Sequence, residues 1–380
     1  MKYYIIAGEA SGDLYGSNLI KEINKIDSEA TFRVWGGDLM NLDRVELVRH
    51  YKDHNYMGFI EVIWNLRTIL KNINFCKKDV KKYNPDALIL IDFPGFNMRI
   101  AKYFNKSSFP ILYYIAPQVW AWKEKRVELI KKYVDSLYVI LPFEKEFFKM
   151  HGIDASYHGH PLLEHILNFK EDKSTPKLDF TKTNNLNPKK PIIALIPGSR
   201  KQEIIKKLPI MLNAVSNYNE NYNIVIAGMN IHQDIYQNIT SKYNVNIVYE
   251  DTYNLLNQSN FALVTSGTAT LETAFFNVPQ VVCYKANRIS YSIAKSLVKI
   301  KFISLVNLIL NYESVKELIQ DELNDTKLNE ELSRIINVSH GNSIKNDYKK
   351  LISKCKGEDV SKNIAKSMLK TLRNFQKKHN

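Results

Sequence analysis

The fold class this chain predicts is α/β, with two doubly wound, Rossmann-like domains facing a cleft, and three observations predict it. Short unalternating apolar runs recur between helical patterns in both halves of the chain. A polar stretch of weak periodicity separates the two series, and turns bearing glycine, hydroxyl or acidic residues follow the apolar runs. Strands that are apolar on both faces belong to parallel sheets covered by helices on each side. With 380 residues the chain has room for two domains, at the usual ~100–200 residues each.

In the first half, strands are expected at residues 3–7, 32–35, 87–91, 111–115 and 136–140, and helices at 12–26, 59–83, 96–104, 123–133 and 143–151. Residues 169–190 are rich in Lys, Asp, Thr and Asn and read as a linker. The second series places strands at 192–196, 223–227, 245–248, 261–264 and 278–283, with helices at 201–218, 231–243, 253–258 and 268–276. The expected division is an N-terminal domain over 1–168, the linker, a C-terminal domain over 191–341 and a basic helical tail over 342–380. In the tail, Ile364, Met368, Leu372 and Phe375 keep helical spacing, so it should pack back on the body. No fixed-period repeat points to a solenoid.

Composition narrows the function classes. A hydrophobic share of 45% and a charged share of 24% are ordinary for a globular protein. No apolar run approaches the ~18 residues of a spanning helix. The opening MKYYIIAGEA reads as a first strand rather than a signal peptide, which implies a cytoplasmic protein. Cys76, Cys283 and Cys355 form no CxxC pair, so neither a disulfide framework nor a zinc site is expected. The net charge is +14, and residues 342–380 hold 11 Lys/Arg against 3 Asp/Glu. Such a balance suits an anionic partner, or reflects a lysine- and asparagine-rich composition. No nucleic-acid-binding pattern accompanies it.

In doubly wound sheets ligands bind outside the carboxyl ends of strands, and the informative residues follow strands here. Gly8, Glu9, Ser11, Gly12 and Asp13 form a turn into a helix, either an anion-accepting turn or a helix cap. Asp92, set before Phe93 and Pro94, is either a base facing the cleft or the N-cap of the next helix. Gln118 and Trp120 follow the fourth strand, where an amide and a flat indole suit a sugar ring or an acyl chain as well as a core.

In the second half, Gly198, Ser199 and Arg200 make a turn suited to a diphosphate. Ser266, Gly267 and Thr268 repeat that logic, and Glu272, one turn into the helix, can accept from ribose hydroxyls. Together the two turns favour a nucleotide-diphosphate site. His158, His160 and His165 lack the partners of a metal centre, and no cofactor or metal is expected. Two segments mix apolar and basic residues: 57–82, with Phe59, Ile60, Ile63, Trp64 and Leu66, and 287–310, with Arg288, Lys295, Lys299 and Lys301. Each is either a membrane-contacting surface or a core-facing amphipathic helix.

Taken in order, IAGEASGD, MGFIEV, PDALILIDFPGFN, APQVWAWKEKR, LPFEKEF, GHPL, IPGSR, TSGTATLE and FISLVNLI resemble the bacterial lipid-A-disaccharide synthase family, from about residue 4 to 310. The resemblance implies a GT-B fold, the active site between its two domains, and an inverting transfer. It joins UDP-2,3-diacylglucosamine to 2,3-diacylglucosamine 1-phosphate (lipid X), releasing UDP. It implies Asp92 as base, Arg200 and Asn307 near the donor diphosphate, Glu272 on the uridine ribose, and the turn from Gly8 to Asp13 on the acceptor side. Many members carry a second acid where this chain has Gly95, which increases the burden on Asp92. The implied partners are the two lipid substrates, the anionic cytosolic face of the inner membrane and a possible homodimer, with no nucleic acid. The alternative is another GT-B enzyme of UDP-sugars, either a UDP-N-acetylglucosamine epimerase or a glycosyltransferase with a soluble acceptor.

Overall fold

Apolar runs that bury both faces form the centres of two parallel sheets, and helices cover them. The computed structural model describes residues 1–53, 66–121, 126–172, 180–287, 291 and 300–379. The chain divides into two units, one of Met1–Glu164 with Cys355–Asn380 and one of His165–Lys354.

Unit 1 holds β1 (Lys2–Ala7), β2 (Thr31–Gly36), β3 (Val45–His50), β4 (Ala87–Ile91), β5 (Ile111–Tyr114), β6 (Ser136–Val139) and β7 (Ala155–Tyr157). They are parallel in the order β3-β2-β1-β4-β5-β6-β7. The helices are α1 (Ala10–Ile26), α2 (Leu66–Tyr83), α3 (Pro94–Phe104), α4 (Val127–Tyr133), α5 (Glu144–Met150) and α6 (Pro161–Glu171). Every residue of β4 is buried, and of β1 only Lys2 is not. A polar tie fixes α2 to the sheet. Asp79 accepts from Arg33 Nε and Nη2, both at 2.8 Å, and from the Tyr4 hydroxyl at 2.7 Å.

Unit 2 holds β8 (Ile192–Ile196), β9 (Asn223–Gly228), β10 (Asn246–Tyr249), β11 (Phe261–Thr265), β12 (Gln280–Tyr284) and β13 (Glu317–Ile319). Their order is β10-β9-β8-β11-β12-β13, again parallel. The helices that matter below are α7 (Lys201–Val215), α8 (Thr252–Gln258), α9 (Thr268–Phe275), α10 (Leu305–Leu310) and α11 (Val338–Cys355). The last helix, α12 (Val360–His379), belongs to unit 1.

Among the described residues the expected elements recur, residues 59–65 and 123–125 of two expected helices lying outside them, and the added strands have a common reason. The strands β3, β7 and β13 go beyond the sequence reading; each lies at a sheet edge, and two of them are three residues long. An edge strand pairs on one side only and needs no continuous apolar run. The tail expected from residue 342 is instead two helices in different units. On α11, Tyr348 and Leu351 are buried in unit 2, and the Tyr348 hydroxyl accepts from Gln280 at 3.0 Å. On α12, Ile364, Met368 and Leu372 are buried, and the helix packs on α1. Ser361 N–H donates to Glu164 at 3.1 Å. The other division falls inside α6, ahead of the expected linker.

The start of α3 bears on the site. Phe93 is its N-cap, and proline opens the first turn. Gly95 follows, exposed, and a Cβ built on it meets nothing within 4 Å. Glycine in a helix gives up more chain entropy than alanine. Gly95→Ala should therefore raise unfolding stability by about 0.5–1 kcal/mol, read as a higher denaturant midpoint with an unchanged slope; a lower midpoint would mean that the open space is needed.

Candidate active site

Each sheet has a point where the chain's walk reverses. From β1 it moves outward through β2 and β3, then returns beside β1 as β4 and proceeds the other way; β8 and β11 stand in the same relation. Loops leaving two such strands diverge and leave a crevice at their carboxyl ends. The principal residues expected from the sequence lie on those loops.

In unit 1, Gly8 and Glu9 leave β1 while Asp92 and Phe93 leave β4. Asp92 and Phe93 take φ of 46° and 48°, a left-handed pair that is strained for residues with a Cβ. The Asp92 carbonyl is pinned there, accepting from the Tyr113 hydroxyl at 2.6 Å and Asn97 Nδ2 at 2.8 Å. The Phe93 ring occupies the space over Gly8, where any Cβ would collide with it. Burial, and then the charge of Glu9, push the Asp92 carboxyl up to about 7, against a hydrogen bond from the Phe93 N–H. The N-cap reading of Asp92 gives way, because α3 is capped by Phe93 without a side-chain bond. A carboxylate of that pKa can take a proton near neutrality.

The neighbouring loops differ in what they offer. Ile115, after β5, has φ 64°. Gln118 is exposed, and Trp120 is partly buried. The Trp120 indole is fixed: its N–H donates to Glu144 at 3.0 Å, and its ring meets Phe143 edge to face at 4.9 Å. Glu144 also accepts from the N–H groups of Ile140 and Leu141 at 3.2 and 3.0 Å. Burial pushes its carboxyl up to about 7 in spite of these bonds. Gly12 is buried, Cβ-close to Ala7, and Ser11 is partly exposed. Asp13 corrects the expectation of an acceptor contact. It is 2% exposed, and its carboxylate accepts from the N–H groups of Gly37, Leu39 and Met40 at 2.7, 3.1 and 3.1 Å. Its role is to hold the turn after β2.

In unit 2, the turn after β8 contains Gly198 at φ 111°, Ser199 and Arg200, the last two exposed. Arg200 is the N-cap of α7, and its Nη1 lies 3.8 Å from Glu203 Oε1. A side chain at Gly198 would collide with the Glu203 carboxylate, so the turn needs glycine for both reasons. After β11, Gly267 (φ 137°) caps α9, followed by the partly buried Thr268. The Ser266 hydroxyl donates to the Ile303 carbonyl at 3.0 Å. Exposed N–H groups at such helix starts favour anions. Glu272, on α9, accepts from the Tyr253 hydroxyl at 3.4 Å. Burial pushes it up to about 7, leaving a carboxylate that gains from further donors.

Asn307 is the second correction. It is 0% exposed, and its amide is saturated. Nδ2 donates to the Val315 carbonyl and Glu317 at 2.8 and 2.9 Å; Oδ1 accepts from the N–H groups of Ser314 and Val315 at 2.8 and 3.0 Å. Two donors and two lone pairs are all an asparagine has, so none is left for a diphosphate. Glu317 in turn accepts from the N–H groups of Ile303 and Ser304, both at 2.9 Å. Asn307 thereby braces the turn that Ser266 contacts.

His160 is buried and accepts from the Leu162 N–H at 3.2 Å. Among the described residues, no group of three or more His, Cys, Asp or Glu could hold a metal ion, and no helix is long and apolar enough to cross a membrane. Phe59, Ile60, Ile63, Trp64, Arg288, Lys295 and Lys299 lie outside the described residues, and Leu66 is described only as the start of α2. Sequence reasoning missed Glu144 and Lys207. Glu144 opens the helix after β6, with four residues between strand and helix, while Lys207 interrupts the apolar stripe of Ile204, Leu208 and Met211; both were visible signals.

The lipid-A-disaccharide synthetase family profile matches residues 3–371. A lipid-A-disaccharide synthase of Geobacter metallireducens is 33% identical over 338 residues, covering 87% of each chain. One from Syntrophus aciditrophicus is 35% identical over 340 residues, again 87% of each. Among solved structures, a UDP-GlcNAc 2-epimerase of Neisseria meningitidis aligns with TM-score 0.68 at 13% identity, over 98% of this chain and 100% of that one. A glycosyltransferase of Rickettsia africae aligns at 0.57 and 14% identity, over 99% and 98%. These structural likenesses carry the fold, and the sequence matches carry the kinship: the chain belongs to the lipid-A-disaccharide synthetase family and is a UDP-dependent glycosyltransferase of the GT-B fold.

Proposed function

We propose that this glycosyltransferase moves 2,3-diacylglucosamine from UDP-2,3-diacylglucosamine to the 6-hydroxyl of 2,3-diacylglucosamine 1-phosphate (lipid X). The products are the β-1,6-linked tetra-acyl disaccharide 1-phosphate of lipid A biosynthesis and UDP. The observation that carries the reading is the Asp92 carboxyl, raised to about 7 at the switch point of unit 1. Its counterpart is the pair of glycine-bearing helix starts at the switch point of unit 2.

The transfer is a single displacement. Asp92 takes the proton of the acceptor hydroxyl as that oxygen bonds to the donor's anomeric carbon. The bond from that carbon to the diphosphate oxygen breaks, its electron pair leaves with UDP, and the α-linkage becomes β. Arg200, Gly198, Ser199, Ser266, Gly267 and Thr268 hold the diphosphate, and Glu272 takes the ribose hydroxyls. Gly8, Glu9, Ser11, Gly12, Gln118 and Trp120 line the acceptor side. No metal or cofactor enters the scheme. The enzyme works at the anionic cytosolic face of the inner membrane, contacting it through Phe59, Ile60, Ile63, Trp64 and Leu66.

The deciding assay incubates the protein with UDP-2,3-diacylglucosamine, with and without lipid X. Disaccharide and UDP should form only when both are present. UDP release without the acceptor, or turnover of UDP-N-acetylglucosamine alone, would favour the epimerase or a soluble acceptor.

Arg200→Ala removes a donor aimed at charge that develops on departing UDP. It should lower kcat by roughly 10²–10³, about 3–4 kcal/mol, and leave the acceptor KM nearly unchanged. Steady-state kinetics with both substrates varied reads this directly; near-normal turnover would remove Arg200 from the scheme.

Asp92 must be ionised to act, so kcat/KM for the acceptor should fall as pH drops below about 7. Asp92→Asn should cut kcat by roughly 10²-fold or more and abolish that acid limb, with UDP binding unaffected. A variant that kept the wild-type pH profile would place the base elsewhere.

A further inference from the structure

Lys207 is a charged residue in a position built for an apolar one. It lies on α7 in line with Ile204, Leu208 and Met211, all fully buried, and is itself 2% exposed. Burial lowers its pKa, and the charge of Glu203 partly opposes that shift. A buried ammonium is costly unless it is paired and hydrogen-bonded. An apolar side chain would suit the stripe, so what the charge holds calls for explanation.

Its partners lie on the two loops at the switch point of unit 2. Lys207 Nζ donates to the Thr265 hydroxyl, at the end of β11 immediately before Ser266 and Gly267. The same Nζ lies 3.9 Å from Glu203 Oε2. Glu203 stands over Gly198, and its other oxygen faces Arg200 at 3.8 Å. One ammonium thus ties the turn carrying Gly198 and Arg200 to the turn carrying Ser266 and Gly267.

We infer that Lys207 is a positioning residue of the donor site: its buried ammonium, through Glu203 and Thr265, sets the spacing and aim of the two loops that grip the nucleotide diphosphate. The inference rests on the proposed reading of unit 2 as the UDP-sugar site. Lys207 acts through its neighbours. Without it, Glu203 is free to close fully on Arg200, and the loop after β11 loses its anchor to α7.

The test measures UDP affinity by titration calorimetry for wild type, Lys207→Met, Thr265→Val, Arg200→Ala and Lys207→Met/Arg200→Ala, with unfolding midpoints recorded alongside. Methionine refills the stripe without charge, and Glu203 is part-exposed and keeps Arg200 beside it, so no buried charge is left uncompensated and the midpoint should change little. UDP affinity should drop about tenfold in Lys207→Met and severalfold in Thr265→Val. Arg200→Ala should cost less affinity in the Lys207→Met background than alone, as expected for residues acting through a shared network. A purely structural lysine would instead lower the midpoint and leave the two losses additive, and that result overturns the inference. So does wild-type UDP affinity in Lys207→Met. Should that variant not fold, Thr265→Val decides, since unchanged affinity there removes the tie. If wild type itself bound no UDP, the donor-site reading would fail first and carry the inference with it; binding by wild type with unchanged variants sinks the inference alone.

Discussion

Two all-parallel sheets impose the constraint on which everything else depends: within each unit, every strand ends at the same edge. Crossovers, most of them built on an α-helix, carry the chain back each time, so the loops that follow strands accumulate on one side of a sheet. The walk across each sheet reverses beside its first strand, at β1/β4 and at β8/β11. Backbone strain collects at that edge. Asp92, Phe93, Ile115, Glu250 and Gln320 all have positive φ just beyond a strand. Such conformations persist only where surroundings over-determine them, and Tyr113 and Asn97 do this for Asp92.

The two switch points are chemically unlike. That of unit 1 gathers carboxyls, with Asp92 raised to about 7 by burial and Glu9; beyond it, after β6, burial raises Glu144 to about 7. That of unit 2 gathers helix starts, Arg200 and the buried Lys207. The first environment suits removal of a proton from a hydroxyl, the second the receipt of an anion. The transfer proposed above, from a nucleotide diphosphate to an alcohol, would call on both.

Much of this was legible in the sequence because central strands announce themselves. Residues 87–91 and 192–196 are unbroken apolar runs followed by turn residues, and unbroken burial is what parallel pairing on both sides requires. The edge strands β3, β7 and β13 gave no such signal. Residue roles were legible where a backbone need and a chemical need coincide, as at Gly198. They were misread where one side chain can serve either end. Asp13 and Asn307 look like ligand contacts in a string of letters, yet Asp13 spends its carboxylate on N–H groups of a turn far along the chain, and Asn307 its amide on Ser314, Val315 and the Glu317 carboxylate. No local pattern could reveal which N–H groups the fold would bring to them.

The site also opposes the stability of the fold that carries it. Asp92, Glu144 and Glu272 all have folded pKa values near 7, above those of ordinary carboxyls. A carboxyl whose pKa is raised on folding favours the folded state when protonated. That advantage fades as pH climbs from the unfolded value near 4 to about 7. At neutral pH these groups are therefore carried at a cost, which the apolar cores around them must offset. On the reading proposed above, a substrate hydroxyl donating to Glu272 or Asp92 would add a donor to these carboxyls, and ligand binding would then also favour the folded state. Glu317 shows the contrasting design, with three donors from the protein itself and a task that is wholly architectural. Asp92 and Glu272 receive one donor each from the protein, whereas Glu144 receives three, as Glu317 does, and its raised carboxyl holds a loop in place.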